Sequence, residues 1–289
     1  MKQLVLCSAV LLLCASVSQA HPQYGYTAIY NFDDLTAGQN LNGQDPNTPV
    51  TWVAVANAGL GFTVSADPND ANDKHAESKS SSQEQLYGTL SNYPTTTTIL
   101  GLDSNDTNLL VSFVGKMNVL QNALVGVWVD GIDPNNPNAG PTTNLELVSQ
   151  FGVSSSKWRI RGPNGTPSVN TSNLNLAAQG SIAEYKVMLY MDLNGDGSMT
   201  LSVEDLTNSP GTQFTPAGYD HIAMGLSTKD PNYADPSKWT SWWIRSQASG
   251  SFDPNYPMTL DDFTIQVIPE PATLTLLVLG GLALIRRRR

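Results

Sequence analysis

The chain has 289 residues, with 25 acidic against 15 basic side chains and a formal net charge of −10. Setting aside Lys2, Glu270 and the four terminal arginines leaves residues 21–268 with 24 acids, 10 bases and a net charge of −14. That balance excludes a basic nucleic-acid footprint and repels anionic membranes and acidic polymers, which leaves neutral glycans and divalent cations as partners.

The N-terminus reads as a secretory signal peptide over residues 1–20. Lys2 supplies an early positive charge, residues 4–15 are apolar, and Ser18-Gln19-Ala20 offers small residues for cleavage between Ala20 and His21. Both cysteines, Cys7 and Cys14, lie inside this segment, each after a leucine too large for a lipoprotein cleavage box. The mature chain therefore lacks disulfides, a cysteine metal site and a thiol nucleophile. Its 248 residues, 21–268, must rely on a hydrophobic core, and that length suits one β-sandwich domain.

Helical periodicity is almost absent from that region. Short β-branched and aromatic runs alternate with clusters of Asn, Asp, Gly and Pro, the pattern of a sandwich or jelly roll. Strands are predicted near residues 27–32, 50–55, 61–64, 95–100, 109–114, 124–129 and 145–153. More follow at 157–161, 185–191, 199–205, 222–227, 242–245 and 259–267, about thirteen in all. Two polar stretches, 65–85 and 130–144, have no apolar periodicity and are read as surface loops.

Within "DLNGDGSMTLSVED", Asp192, Asn194 and Asp196 alternate like calcium ligands and Gly197 allows a turn. An EF-hand loop needs a bidentate Glu at position 12; here that position is Val203, and Glu204 comes one residue late. The flanks alternate as strands, so the segment reads as a hairpin turning at Asn194-Gly195-Asp196-Gly197. A shallow Ca2+ site on that turn is the alternative, and no other cofactor is implied. His21 would become the mature N-terminus, but a copper brace needs a second histidine. Only His75, in a charged stretch, and His221, at a strand start, remain.

The densest aromatic cluster is "KWTSWWIRS", with Trp239, Trp242 and Trp243. Adjacent strand residues face opposite sides, so one of Trp242 and Trp243 belongs to the core and the other to a loop or solvent. All three are candidates for stacking on sugar rings, against the plainer reading of core and edge packing. Hydrolase motifs are missing: there is no Gly-x-Ser-x-Gly elbow, no His-Glu-x-x-His and no phosphate-cradling glycine loop. The Glu-x-Asp-x-x-Glu motif of jelly-roll glucanases is also absent. The chain is accordingly read as a non-enzyme.

The C-terminus carries Pro269-Glu270-Pro271, an apolar run from Ala272 to Ile285, then Arg286, Arg287, Arg288 and Arg289. The run has 14 residues, about 21 Å as helix, where a spanning helix needs about 20 residues. By the positive-inside rule the arginines stay cytoplasmic, which places residues 21–268 outside. This tail, residues 269–289, closely resembles the PEP-CTERM sorting signal of exopolysaccharide-producing Gram-negative bacteria. The resemblance implies transient insertion of a short transmembrane sorting helix in the inner membrane, recognition by an exosortase-type processing enzyme, and cleavage near Pro-Glu-Pro.

Four further stretches, "YNFDDLTAGQNLNGQ", "LELVSQFGVSSSKWRIRG", "YKVMLYMDLNGDGSMTLSVEDLT" and "LDDFTIQV", look like a concanavalin A-like lectin/glucanase sandwich of the laminin-G type. A galactose-binding-type jelly roll is the alternative fold. The resemblance implies neighbouring first and last strands, with Asp33-Asp34 close to Asp261-Asp262. Together these features describe an all-β surface or extracellular-matrix protein with a structural, adhesive role. A glycan-binding module on neutral polysaccharide and a carbohydrate-active enzyme are the alternatives.

Overall fold

The computed structural model describes residues 27–30, 32–41, 50–54, 62–78, 84–90, 108–128, 148–153, 157–161, 168–170, 176–178, 180–193, 197–223, 235–236, 241–248 and 255–268. Among them are sixteen strands. The first eight are β1 Thr27–Tyr30, β2 Val50–Ala54, β3 Thr63–Ala66, β4 Lys74–Ser78, β5 Glu84–Leu90, β6 Asn108–Met117, β7 Gln121–Trp128 and β8 Val148–Val153. The rest are β9 Trp158–Arg161, β10 Ser168–Asn170, β11 Ala183–Asp192, β12 Ser198–Asp205, β13 Gln213–Phe214, β14 Ile222–Ala223, β15 Ser241–Ala248 and β16 Met258–Val267.

They form two antiparallel sheets. One has nine strands, ordered β13-β12-β11-β6-β16-β4-β3, with β1 also paired to β16 and β14 to β12. The other has seven, ordered β10-β9-β8-β7-β15-β5-β2. The architecture is the all-β sandwich that the alternating sequence pattern predicts. Among the described residues no helix is long and apolar enough to cross a membrane.

Period-two alternation builds the core. In β6, Leu109, Val111, Phe113 and Met117 are buried; in β11, Tyr185, Val187, Leu189 and Met191; in β12, Met199, Leu201 and Val203. The seven-stranded sheet meets them with Ala123, Val125, Val153, Trp158 and Ile160. Trp158 sits edge-on to Tyr185 across the two sheets, with ring centroids 5.8 Å apart. Each such large aliphatic or aromatic side chain contributes about 1.5–3 kcal/mol through burial.

Two details hold neighbouring segments close. Gly152, in β8, has φ +133°, and a Cβ there would collide with the carbonyl oxygen of Ala123. The buried Tyr219 hydroxyl donates toward the carbonyls of Trp158 and Val169, tying β9 and β10 to the segment before β14.

The stretch 65–85, read from sequence as a surface loop, is corrected by the structure. It contains the end of β3, all of β4 and the start of β5. The inward positions of β4 are Ala76 and Ser78, 0% and 3% exposed. Small and polar side chains there give no apolar alternation to read. The strand predicted at 222–227 is present as β14, and the described strands that the sequence did not indicate are β4, β5, β10 and β13. The expected strand at 95–100 and loop at 130–144 lie outside the described residues.

Candidate functional site

Strand β16 is central. It pairs with β6 on one side, and on the other with β4 through Met258–Leu260, then with β1 through Phe263–Gln266. At the handover, three steps of β16 from Asp261 to Thr264 face two steps of β6 from Val114 to Ser112. This one-residue bulge resets the alternation. Met258 and Leu260 are buried before it, Phe263 and Val267 after it. The extra residue is accommodated by Asp262 at φ +49°, a left-handed conformation that aspartate tolerates better than most residues.

The bulge gathers four carboxylates from three places in the chain. Asp33 follows β1, Asp73 precedes β4, and Asp261 and Asp262 form the bulge. The Lys74 amide donates to Asp33 Oδ1 at 2.9 Å, and Lys74 Nζ donates to the Asp33 carbonyl. The Asp262 amide donates to Asp261 Oδ1 at 2.7 Å. Burial pushes the Asp261 carboxyl from its ordinary 3.8 up to about 8; the Asp262 amide opposes this, and the charges of Asp262, Asp73 and Asp33 add to it. Burial also raises Asp262, helped by Asp73 and Asp33 and opposed by Lys186. Asp33 is therefore a neighbour of both Asp261 and Asp262, as the sandwich resemblance implies. Asp73 joins them, which the sequence did not indicate.

Burial and the neighbouring carboxylates favour the protonated form of Asp261. Among the described residues no three His, Cys, Asp or Glu side chains are placed to hold a metal ion. The paired strands β11 and β12 run antiparallel with Met191 opposite Met199, as a hairpin requires. Its tip, with Asn194 and Asp196, lies outside the described residues, and Gly197 has φ +66°. His75, read from sequence as a loop residue, stands instead on β4, its Nε2 3.9 Å from Glu77 Oε2. His221 is exposed with φ +61°, directly before β14.

The tryptophan candidates separate by register. In β15, Trp242 lies opposite Gly88 and Val127, and Gly88 lies opposite Trp52. This row has the parity of buried Val125. Trp243 belongs to the other parity, in a row running Val53, Tyr87, Trp243, Gly126, Gln150, Arg161. Trp128 shares that parity one row away, opposite Ser241. Trp158 is fully buried. Trp239, Ala20, His21, Pro269–Pro271 and Arg286–Arg289 lie outside the described residues.

At the end of the last strand, Val267 pairs with Leu109 and the Ile268 amide donates to the Asn108 carbonyl at 2.8 Å. Residues 267–289 match the PEP-CTERM protein-sorting motif. The motif marks an exported protein that is sorted to the cell surface and processed by an exosortase. Among solved structures the chain is similar to the globular domain of T. cruzi calreticulin, at 12% identity and a TM-score of 0.46, covering 80% of this chain and 90% of that one. It is also similar to the winged bean acidic lectin complexed with methyl-alpha-D-galactose, at 13% identity and a TM-score of 0.42, covering 83% and 97%. The Emp47p carbohydrate recognition domain follows at 10% identity and a TM-score of 0.39, with the same coverage. A search of curated proteins finds no match.

Proposed function

We propose that this exported protein has a structural, adhesive role at the cell surface or in the extracellular matrix, and that it adheres to neutral polysaccharide along the seven-stranded sheet. Before that it passes through the inner membrane, where its tail is removed near Pro269-Glu270-Pro271. The observation that carries the reading is the row placing Tyr87, Trp243 and Gly126 side by side, off the parity of the buried row. Directly opposed residues stand about 4.5–5.5 Å apart, so two aromatic residues beside a glycine offer a stacking platform of sugar-ring size. The net charge of −14 on residues 21–268 directs such a surface to uncharged polymers. The reading requires no cofactor.

Retention of surface-released protein on a panel of immobilised neutral and acidic polysaccharides tests it. Trp243→Ala is expected to reduce affinity about tenfold or more, as loss of one stacked aromatic anchor does, while Trp242→Phe leaves affinity unchanged. Equal binding by wild type and Trp243→Ala sinks the proposal.

A second reading, a carbohydrate-active enzyme, is favoured by Asp261. A carboxyl that keeps its proton near neutrality beside other carboxylates has the character of a general acid in glycoside cleavage. Release of reducing ends from polysaccharide, abolished by Asp261→Asn, is the signature required of it.

A further inference from the structure

The sorting motif begins inside the fold. Its match starts at Val267, the last residue of β16. Val267 is 3% exposed. Gln266 is held between Leu110 on β6 and Thr27 on β1. Ile268 is still hydrogen-bonded to Asn108. Pro269 follows at once; it has no N–H and restrains Ile268 to extended backbone, so the ladder stops there. No spacer separates the packed strand from Pro-Glu-Pro.

Enzymes that cut peptides bind them as extended strands, with backbone hydrogen bonds on both sides of the scissile bond. The residues that precede Pro269 already use theirs inside a sheet. We infer that β16 gates its own processing: the enzyme acts only on chains in which the Thr264–Ile268 end of β16 is undocked, so folding of the last strand closes the cleavage site. This rests on the processing reading of the tail. In the cut itself one peptide C–N bond breaks. The carbonyl carbon passes to water or another acceptor nucleophile, and the nitrogen leaves protonated with the tail. When opening and closing are fast, the rate follows the population of the open form.

The test is pulse–chase of the full chain in cells carrying an exosortase, reading conversion of precursor to tail-less product. Inserting eight Gly/Ser residues between Ile268 and Pro269 frees the site without touching the core, and is expected to speed conversion about tenfold or more. Val267→Ala removes one buried side chain from the strand end, and is expected to speed conversion about tenfold by raising the open population. In the linker background the same substitution is expected to have no effect. Equal rates for wild type and the linker variant overturn the gate while leaving processing intact. No conversion of either chain overturns the processing reading, and the gate falls with it.

Discussion

Asp261→Asn separates the burial of a carboxyl from the packing around it. The Asp261 carboxyl lies at about 8 in the folded chain against an ordinary 3.8. Between those values the folded state holds a proton that the unfolded state has released. Stability therefore falls as pH rises from about 4 to about 8, and is level above that. At about 1.4 kcal/mol per tenfold change, the full displacement corresponds to on the order of 5 kcal/mol. Asp262, raised for the same reason, adds in the same direction. Asparagine keeps an oxygen to accept the Asp262 amide and offers its own N–H groups to surrounding carboxylates, so the geometry survives the change. The variant is expected to match wild type near pH 4 and to exceed it progressively toward pH 8. Urea denaturation from pH 4 to pH 9 measures this. Parallel curves across that range, or a variant less stable than wild type at pH 8, would refute the burial argument.

Gly152→Ala forces a side chain onto a backbone at φ +133° and against the Ala123 carbonyl. It is expected to cost about 3 kcal/mol or more, seen as insoluble protein or a melting temperature lowered by roughly 10 °C. Tyr219→Phe removes the hydroxyl shared between the carbonyls of Trp158 and Val169. It is expected to cost about 1–3 kcal/mol, a fall of roughly 2–10 °C by calorimetry, because the buried carbonyl it leaves has lost a donor. Lys116 reaches Asp67 and Glu184 at 3.7 Å each from a partly exposed position. Lys116→Met is expected to change stability by under about 1 kcal/mol.

Sequence pattern exposed the strands whose inward positions are large. β6, β11 and β12 alternate apolar residues along most of their length and were readable. β4 was not, because its buried positions are Ala76 and Ser78, and solvation pattern cannot distinguish those from a loop. β16 shows a subtler case. Met258 and Leu260 keep one parity, Phe263 and Val267 the other, and the Asp261-Asp262 doublet marks where the parity changes. A bulge was therefore written in "MTLDDFTIQV", readable only once both apolar sets are required to face one core. The carboxylate cluster was half legible. Pairing of the first and last strands, implied by the sandwich resemblance, brings Asp33 to Asp261 and Asp262. Asp73 arrives through β4, the strand that composition hid.

The order of the chain near its end gives the tail a definite energetic status. The last core residue among the described residues is Val267, and the Ile268 amide donates to the Asn108 carbonyl. The apolar run that follows Pro271 has 14 residues, short of the roughly 20 that span a bilayer. Such a segment, ended by four arginines, suits a transient halt better than a lasting anchor. The mature surface form is therefore expected to lack Ala272–Arg289, which intact-mass analysis of released protein checks. A mass that includes the arginines refutes it. A chain truncated after Pro271 is also expected to melt within about 2 °C of the full chain in detergent, since no described core residue is lost. A fall of several degrees would mean that the sandwich draws stability from the tail, and that removing it is part of unfolding the domain as well as of releasing it.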